Sequence, residues 1–90
     1  MYRMTRDAIE TAIVTIFNDQ FEIENPGLDD DLREVHEFDS IDAIELLREI
    51  EILLGAQLTR EEKKAAMDIR TINQIVDYVV ALDAKDRGRD

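Results

Sequence analysis

Ninety residues suffice for one small domain, expected over residues 1–90, and a chain this short buries too little surface to build a deep catalytic cavity beside its core. A net charge of −11 argues against binding a nucleic-acid backbone, and the absence of cysteine excludes disulfides and thiolate metal sites. With 44% apolar and 37% charged residues, one proline and three glycines, the chain reads as folded and helical rather than disordered.

The first helix is predicted from Thr5 to Asn18. Thr5 can cap it, Asp7 sits in its first turn, and Ile9, Ala12, Ile13, Ile16 and Phe17 recur at helical spacing. A connection of about twenty residues without clean periodicity then runs to Asp39. Apolar residues punctuate it (Phe21, Ile23, Leu28, Leu32, Val35, Phe38), so it is expected to lie pinned over the core. Asn25-Pro26-Gly27 marks a sharp turn, and Asp31 to Val35 can form one helical turn.

The second main helix is predicted from Ser40 to Leu54, with Asp39 as its cap and Gly55 as its stop. At 100° per residue, Ala43, Ile44, Leu46, Leu47, Ile50, Leu53 and Leu54 form a wide apolar arc. Asp42, Glu45 and Glu49 share one stripe outside it, and Ile41 and Ile52 belong to neither group. Thr59-Arg60-Glu61-Glu62 has the form of a capping box and opens a short third helix ending near Met67. Thr71 caps the last helix, whose inner face is Ile72, Ile75, Val76, Val79 and Leu82. The core is therefore expected over residues 5–82, and the charged tail from Asp83 to Asp90 is expected to fray. The fold class is all-α: three main helices, a short third helix and a long first connection.

Charge is concentrated rather than spread. Residues 21 to 51 hold twelve acids and two bases, a net −10, which leaves −1 for the remaining fifty-nine. Such a field can steer basic partners or can simply keep a surface solvated.

Ser40 is the only serine. It stands where unpaired N–H groups and the helix dipole favour a phosphate, including a phosphodiester on its own hydroxyl. Local chemistry alone favours the plainer reading, in which Asp39-Ser40 is a capping pair. His36, the only histidine, lies four residues earlier, but a Ser–His hydrolase also needs an orienting third group and an oxyanion hole, and none is recognisable. Asp29-Asp30-Asp31 lacks the glycine and the alternating ligands of a calcium loop, and no metal site is expected.

The run Phe38-Asp39-Ser40-Ile41-Asp42-Ala43-Ile44-Glu45-Leu46 resembles the signature of acyl carrier proteins: Asp-Ser, an aliphatic residue, Asp, two residues, Glu-Leu. The long loop before the serine, the acidic helix after it, the short third helix and Thr71-Ile72 opening the last one extend the resemblance from about Thr5 to Leu82. Two positions depart from the family pattern: Glu37 stands where glycine is common, and Arg48 where an apolar residue is usual. These departures point to a specialised freestanding carrier.

The resemblance implies that Ser40 receives a covalent 4′-phosphopantetheine arm from coenzyme A. Asp39, Asp42, Glu45 and Glu51 would meet basic docking patches on partners, and Glu49 joins them because it completes the stripe. The protein would then be no enzyme but a cytoplasmic monomer, binding neither nucleic acid nor membrane. A phosphopantetheinyl transferase would modify it, and acyl-transferring or synthase enzymes of fatty-acid, polyketide or related lipid synthesis would use it. The alternatives are an aminoacyl or D-alanyl carrier with the same arm, and an acidic helical interaction module without a prosthetic group.

Overall fold

Each main helix begins at a side chain that accepts a hydrogen bond from the N–H three residues on, so the helix starts are set locally. In a computed structural model, which describes residues 4–87, Thr5 Oγ1 accepts from the Ala8 N–H at 3.1 Å and opens α1, Arg6–Gln20. Asp39 and Asp42 cap α3, Ser40–Leu54, reciprocally: each carboxylate accepts the other residue's N–H, at 2.9 and 3.1 Å. Thr59 and Glu62 do the same for α4, Arg60–Ala65, as Thr71 and Gln74 do for α5, Ile72–Arg87. Gly55 ends α3 in the left-handed conformation at φ 68°, as expected for a glycine stop.

A short helix, α2, Leu32–His36, forms within the long first connection, at the turn expected over Asp31 to Val35. Asp31 caps it and Glu37 ends it at φ 54°. Past α4 the chain tightens into a 3₁₀ turn, Ala66–Asp68. No strand occurs among the described residues, and the all-α fold class holds.

The core is drawn from three long helices. Ile9, Ile13 and Phe17 of α1 meet Ile72, Ile75, Val76 and Val79 of α5, and Leu46 and Ile50 of α3 close the third side. Leu32, Phe38 and Leu58 add apolar side chains from the connections. By contrast, α4 contributes no buried residue.

The first connection is pinned, as expected, but by polar as well as apolar ties. The Asn73 N–H donates to the Leu28 carbonyl at 3.0 Å, and the Leu32 N–H donates to the Arg70 carbonyl at 2.8 Å. The three consecutive aspartates serve three different partners: Asp29 accepts from the Asn73 amide, Asp30 from the Gly27 N–H, and Asp31 caps α2. A Cβ at Gly27 would lie 2.7 Å from the Asp30 carboxylate, so a larger residue there would push aside the side chain that accepts the Gly27 N–H.

Two expectations need correction. The chain does not fray at Asp83: α5 continues to Arg87, Asp83 is buried, and Lys85 bonds Glu62 at 3.1 Å. Alternating charge looks solvated in sequence, but these side chains have tertiary surroundings. The rest of the predicted tail, 88–90, lies outside the described residues. Ile44 was placed in the apolar arc, yet 57% of it is exposed, because it sits at the arc's edge facing α4, which buries nothing in return. Ile41 and Ile52 are exposed as read.

Glu62 links three segments. Its carboxylate accepts the Thr59 N–H at 2.8 Å and pairs with Lys85. The Thr59 N–H, and then Lys85, hold its carboxyl below the ordinary 4.5, against burial, which acts the other way. The sign follows: this stabilisation is full above pH 4.5 and is lost as pH falls through the lower folded value. Glu62→Ala should cost about 1–2 kcal/mol at neutral pH. In urea titrations the gap from wild type should close as the solution is acidified below pH 4.5.

Candidate functional site

Ser40 occupies the first turn of α3, and three constraints put it there. The capping box of Asp39 and Asp42 fixes the start of the helix. Two residues before the serine, Phe38 is buried in a cluster with Phe17 and Phe21, with ring centroids 5.3 to 5.4 Å apart. Between Phe38 and α2, the left-handed Glu37 reverses the chain, and the Phe38 N–H closes the turn onto the Leu32 carbonyl at 3.0 Å. That backbone conformation explains why glycine would be comfortable at position 37.

The serine itself is exposed, and its hydroxyl makes no hydrogen bond among the described residues. The capping task belongs to Asp39, so Ser40 is not needed as a cap. Its hydroxyl is left for other chemistry.

Beside Ser40 an apolar cavity of about 50 Å³ opens between α2, α3, the 3₁₀ turn and α5. Its walls include Leu46, Leu47 and Ile50 of α3, Met67 of the 3₁₀ turn and Ile75 of α5. This volume holds one or two water-sized groups at about 30 Å³ each. A larger occupant would need the wall formed by the 3₁₀ turn, which holds no buried residue, to move outward.

The predicted site residues separate into different situations. Asp39 and Asp42 are engaged in the capping box. Glu45 is exposed, and Glu49 is half-buried on the same stripe. Glu51 accepts the Leu58 N–H at 2.8 Å and so holds the connection after α3. His36 lies 3.2 Å from the Asp30 carboxylate and makes no hydrogen bond to Ser40. Two residues not singled out from the sequence, Arg33 and Tyr78, also line the cavity. Arg33 was visible only as one of two bases in the acidic segment. Tyr78 lies between Val76 and Val79 of the predicted inner face of α5, within the run Val76-Asp77-Tyr78-Val79.

The arrangement is that of a helical domain presenting one exposed serine at a helix start. The family of phosphopantetheine attachment-site domains matches over residues 11–79, and the chain belongs to that family. Its members are carrier domains that bear 4′-phosphopantetheine covalently on a serine. No curated protein matches the chain. The residues present suit the group: a serine hydroxyl at a helix start with no hydrogen bond among the described residues, and an apolar cavity beside it. Among the described residues no helix is long and apolar enough to cross a membrane.

Tyr78 closes the floor of the site by donating its hydroxyl proton to the Glu62 carbonyl, which ties α5 to α4. Burial, reinforced by the Glu62 and Glu51 carboxylates, pushes its phenol up to about 12 from the ordinary 10.0. The fold therefore favours the neutral phenol, and this contribution, intact below pH 10, should be lost between pH 10 and about 12. Tyr78→Phe should cost about 1 kcal/mol at neutral pH through the lost hydrogen bond. It should also flatten the alkaline decline, as measured by denaturant midpoints at stepped pH.

Proposed function

We propose that this chain is an acyl carrier domain and that Ser40 is the residue that carries the 4′-phosphopantetheine arm. The observation that bears the reading is the serine itself. It is the only one in the chain, its hydroxyl is exposed and makes no hydrogen bond among the described residues, and an apolar cavity adjoins it. A phosphopantetheinyl transferase supplies the base that takes the Ser40 proton while Oγ attacks the pyrophosphate of coenzyme A. One P–O bond forms to serine, and the pyrophosphate P–O bond breaks to release the adenine nucleotide. The arm's terminal thiol then holds cargo as a thioester, so the chain serves enzymes without being one.

The apolar lining of the cavity supports acyl cargo over the aminoacyl or D-alanyl alternative. An acyl cargo places the protein in fatty-acid, polyketide or related lipid synthesis, as a cytoplasmic monomer. Its partners are synthases and acyl-transferring enzymes with basic patches. Glu45 and Glu49 are the docking acids in this reading, since neither carboxylate has an internal partner among the described residues. Asp39 and Asp42 contribute charge from within the cap, and Glu51 from the edge of the face.

Incubation with a broad-specificity transferase and coenzyme A should add about 340 Da in intact mass, with no gain for Ser40→Ala. An unmodified wild type would overturn the carrier reading at this residue. Docking is tested separately by transfer kinetics. Glu45→Lys or Glu49→Lys should slow transfer roughly tenfold at low salt, and the deficit should shrink as ionic strength rises. Asp7→Lys, an equal charge change on α1, should have little effect once circular dichroism confirms the fold. Equal losses in all three variants would mean that only total charge matters.

A further inference from the structure

Modifying Ser40 would place a permanent anion in acidic surroundings. Asp39 precedes it, Asp42 follows two residues later, and exposed Glu37 stands just upstream. At the start of α3 only the Ser40 and Ile41 N–H groups have no acceptor among the described residues to set against that charge. The Asp39 carboxylate already takes the Asp42 N–H, and the Ala43 N–H is held in the helix by the Asp39 carbonyl.

One cation shares the site. Arg33 of α2 lines the same cavity as Ser40 and is the only basic side chain among its described walls. It is exposed, and its guanidinium has no hydrogen bond or ion pair among the described residues. Its backbone is fixed, because its N–H donates to the Asp31 cap at 3.0 Å and α2 is closed onto Phe38 by the turn at Glu37. Most of the basic residues lie outside the acidic segment, so a lone arginine at this place is not general charge balance.

We infer that Arg33 is the phosphate-binding residue of this carrier, its guanidinium pairing with the phosphodiester formed on Ser40. The inference rests on the Ser40 reading above. A planar guanidinium suits this task better than an ammonium, because two parallel N–H groups match two phosphate oxygens. The pair offsets the repulsion from Asp39 and Asp42 and holds the root of the arm toward the cavity rather than along the acidic stripe of α3.

The test compares apo and holo forms of the full chain, after intact mass has established modification. The change in melting temperature on holo conversion should be more favourable in wild type than in Arg33→Gln by about 2–4 °C at low salt. The difference should shrink at high salt, with Arg33→Lys intermediate. Arg60→Gln, the same charge change outside the cavity, should behave like wild type. The ³¹P resonance of the phosphodiester should shift in Arg33→Gln, and the Arg33 Nε–H resonance should move when wild type becomes holo. If the protein gains no mass, the Ser40 reading fails and this one with it. If it gains mass but wild type and Arg33→Gln share the same ³¹P shift and the same apo–holo difference, the inference alone is overturned.

Discussion

The fold depends on the cluster formed by the chain's three phenylalanines. Phe17 comes from the last turn of α1, Phe21 from just beyond it, and Phe38 from the far end of the first connection. Contacts of this kind contribute about 0.5–1.5 kcal/mol beyond the area they bury. Their importance here is topological, because they close a loop that would otherwise leave the start of α3 free to wander. The helix-capping bonds and the Glu37 turn act on a segment whose ends this cluster has already brought together.

The polar ties follow the same economy of parts. Asn73, near the start of α5, uses its amide on Asp29 and its N–H on Leu28, so one residue anchors the middle of the connection. Glu62 and Tyr78 bind α4 to its neighbours although that helix buries nothing. A segment held by a few hydrogen bonds rather than by packing can open locally at less cost than the core around Phe17. The 3₁₀ turn that follows α4 and lines the cavity likewise holds no buried residue.

What could be read from sequence was whatever acts over three or four residues. The caps at Thr5, Asp39, Thr59 and Thr71 and the stop at Gly55 were all legible, because each is an i to i+3 or similar local pattern. Ser40 was legible for the same reason, through its motif. Features made by residues distant in the chain were not. Asp83 looked like part of a solvated tail because its burial depends on the rest of the fold. Arg33 was one charge among many until α2 and the turn at Glu37 set it beside Ser40. Ile44 had the right helical angle for the core, but the helix opposite it supplies no side chain to cover it.

The left-handed turn at Glu37 has a consequence for association. A modifying enzyme that must order a mobile loop gives up binding energy to do so, about 0.5–1.5 kcal/mol for each immobilised side chain. Here the residues around Ser40 are ordered before any encounter, by Phe38 on one side and the capping box on the other. The strain of a non-glycine residue at φ 54°, about 1 kcal/mol, is borne in the free protein. The enzyme therefore meets a preformed epitope and loses little entropy in gripping it. A carrier visited briefly by many partners gains from such an arrangement, because recognition can be quick without the complex having to be long-lived.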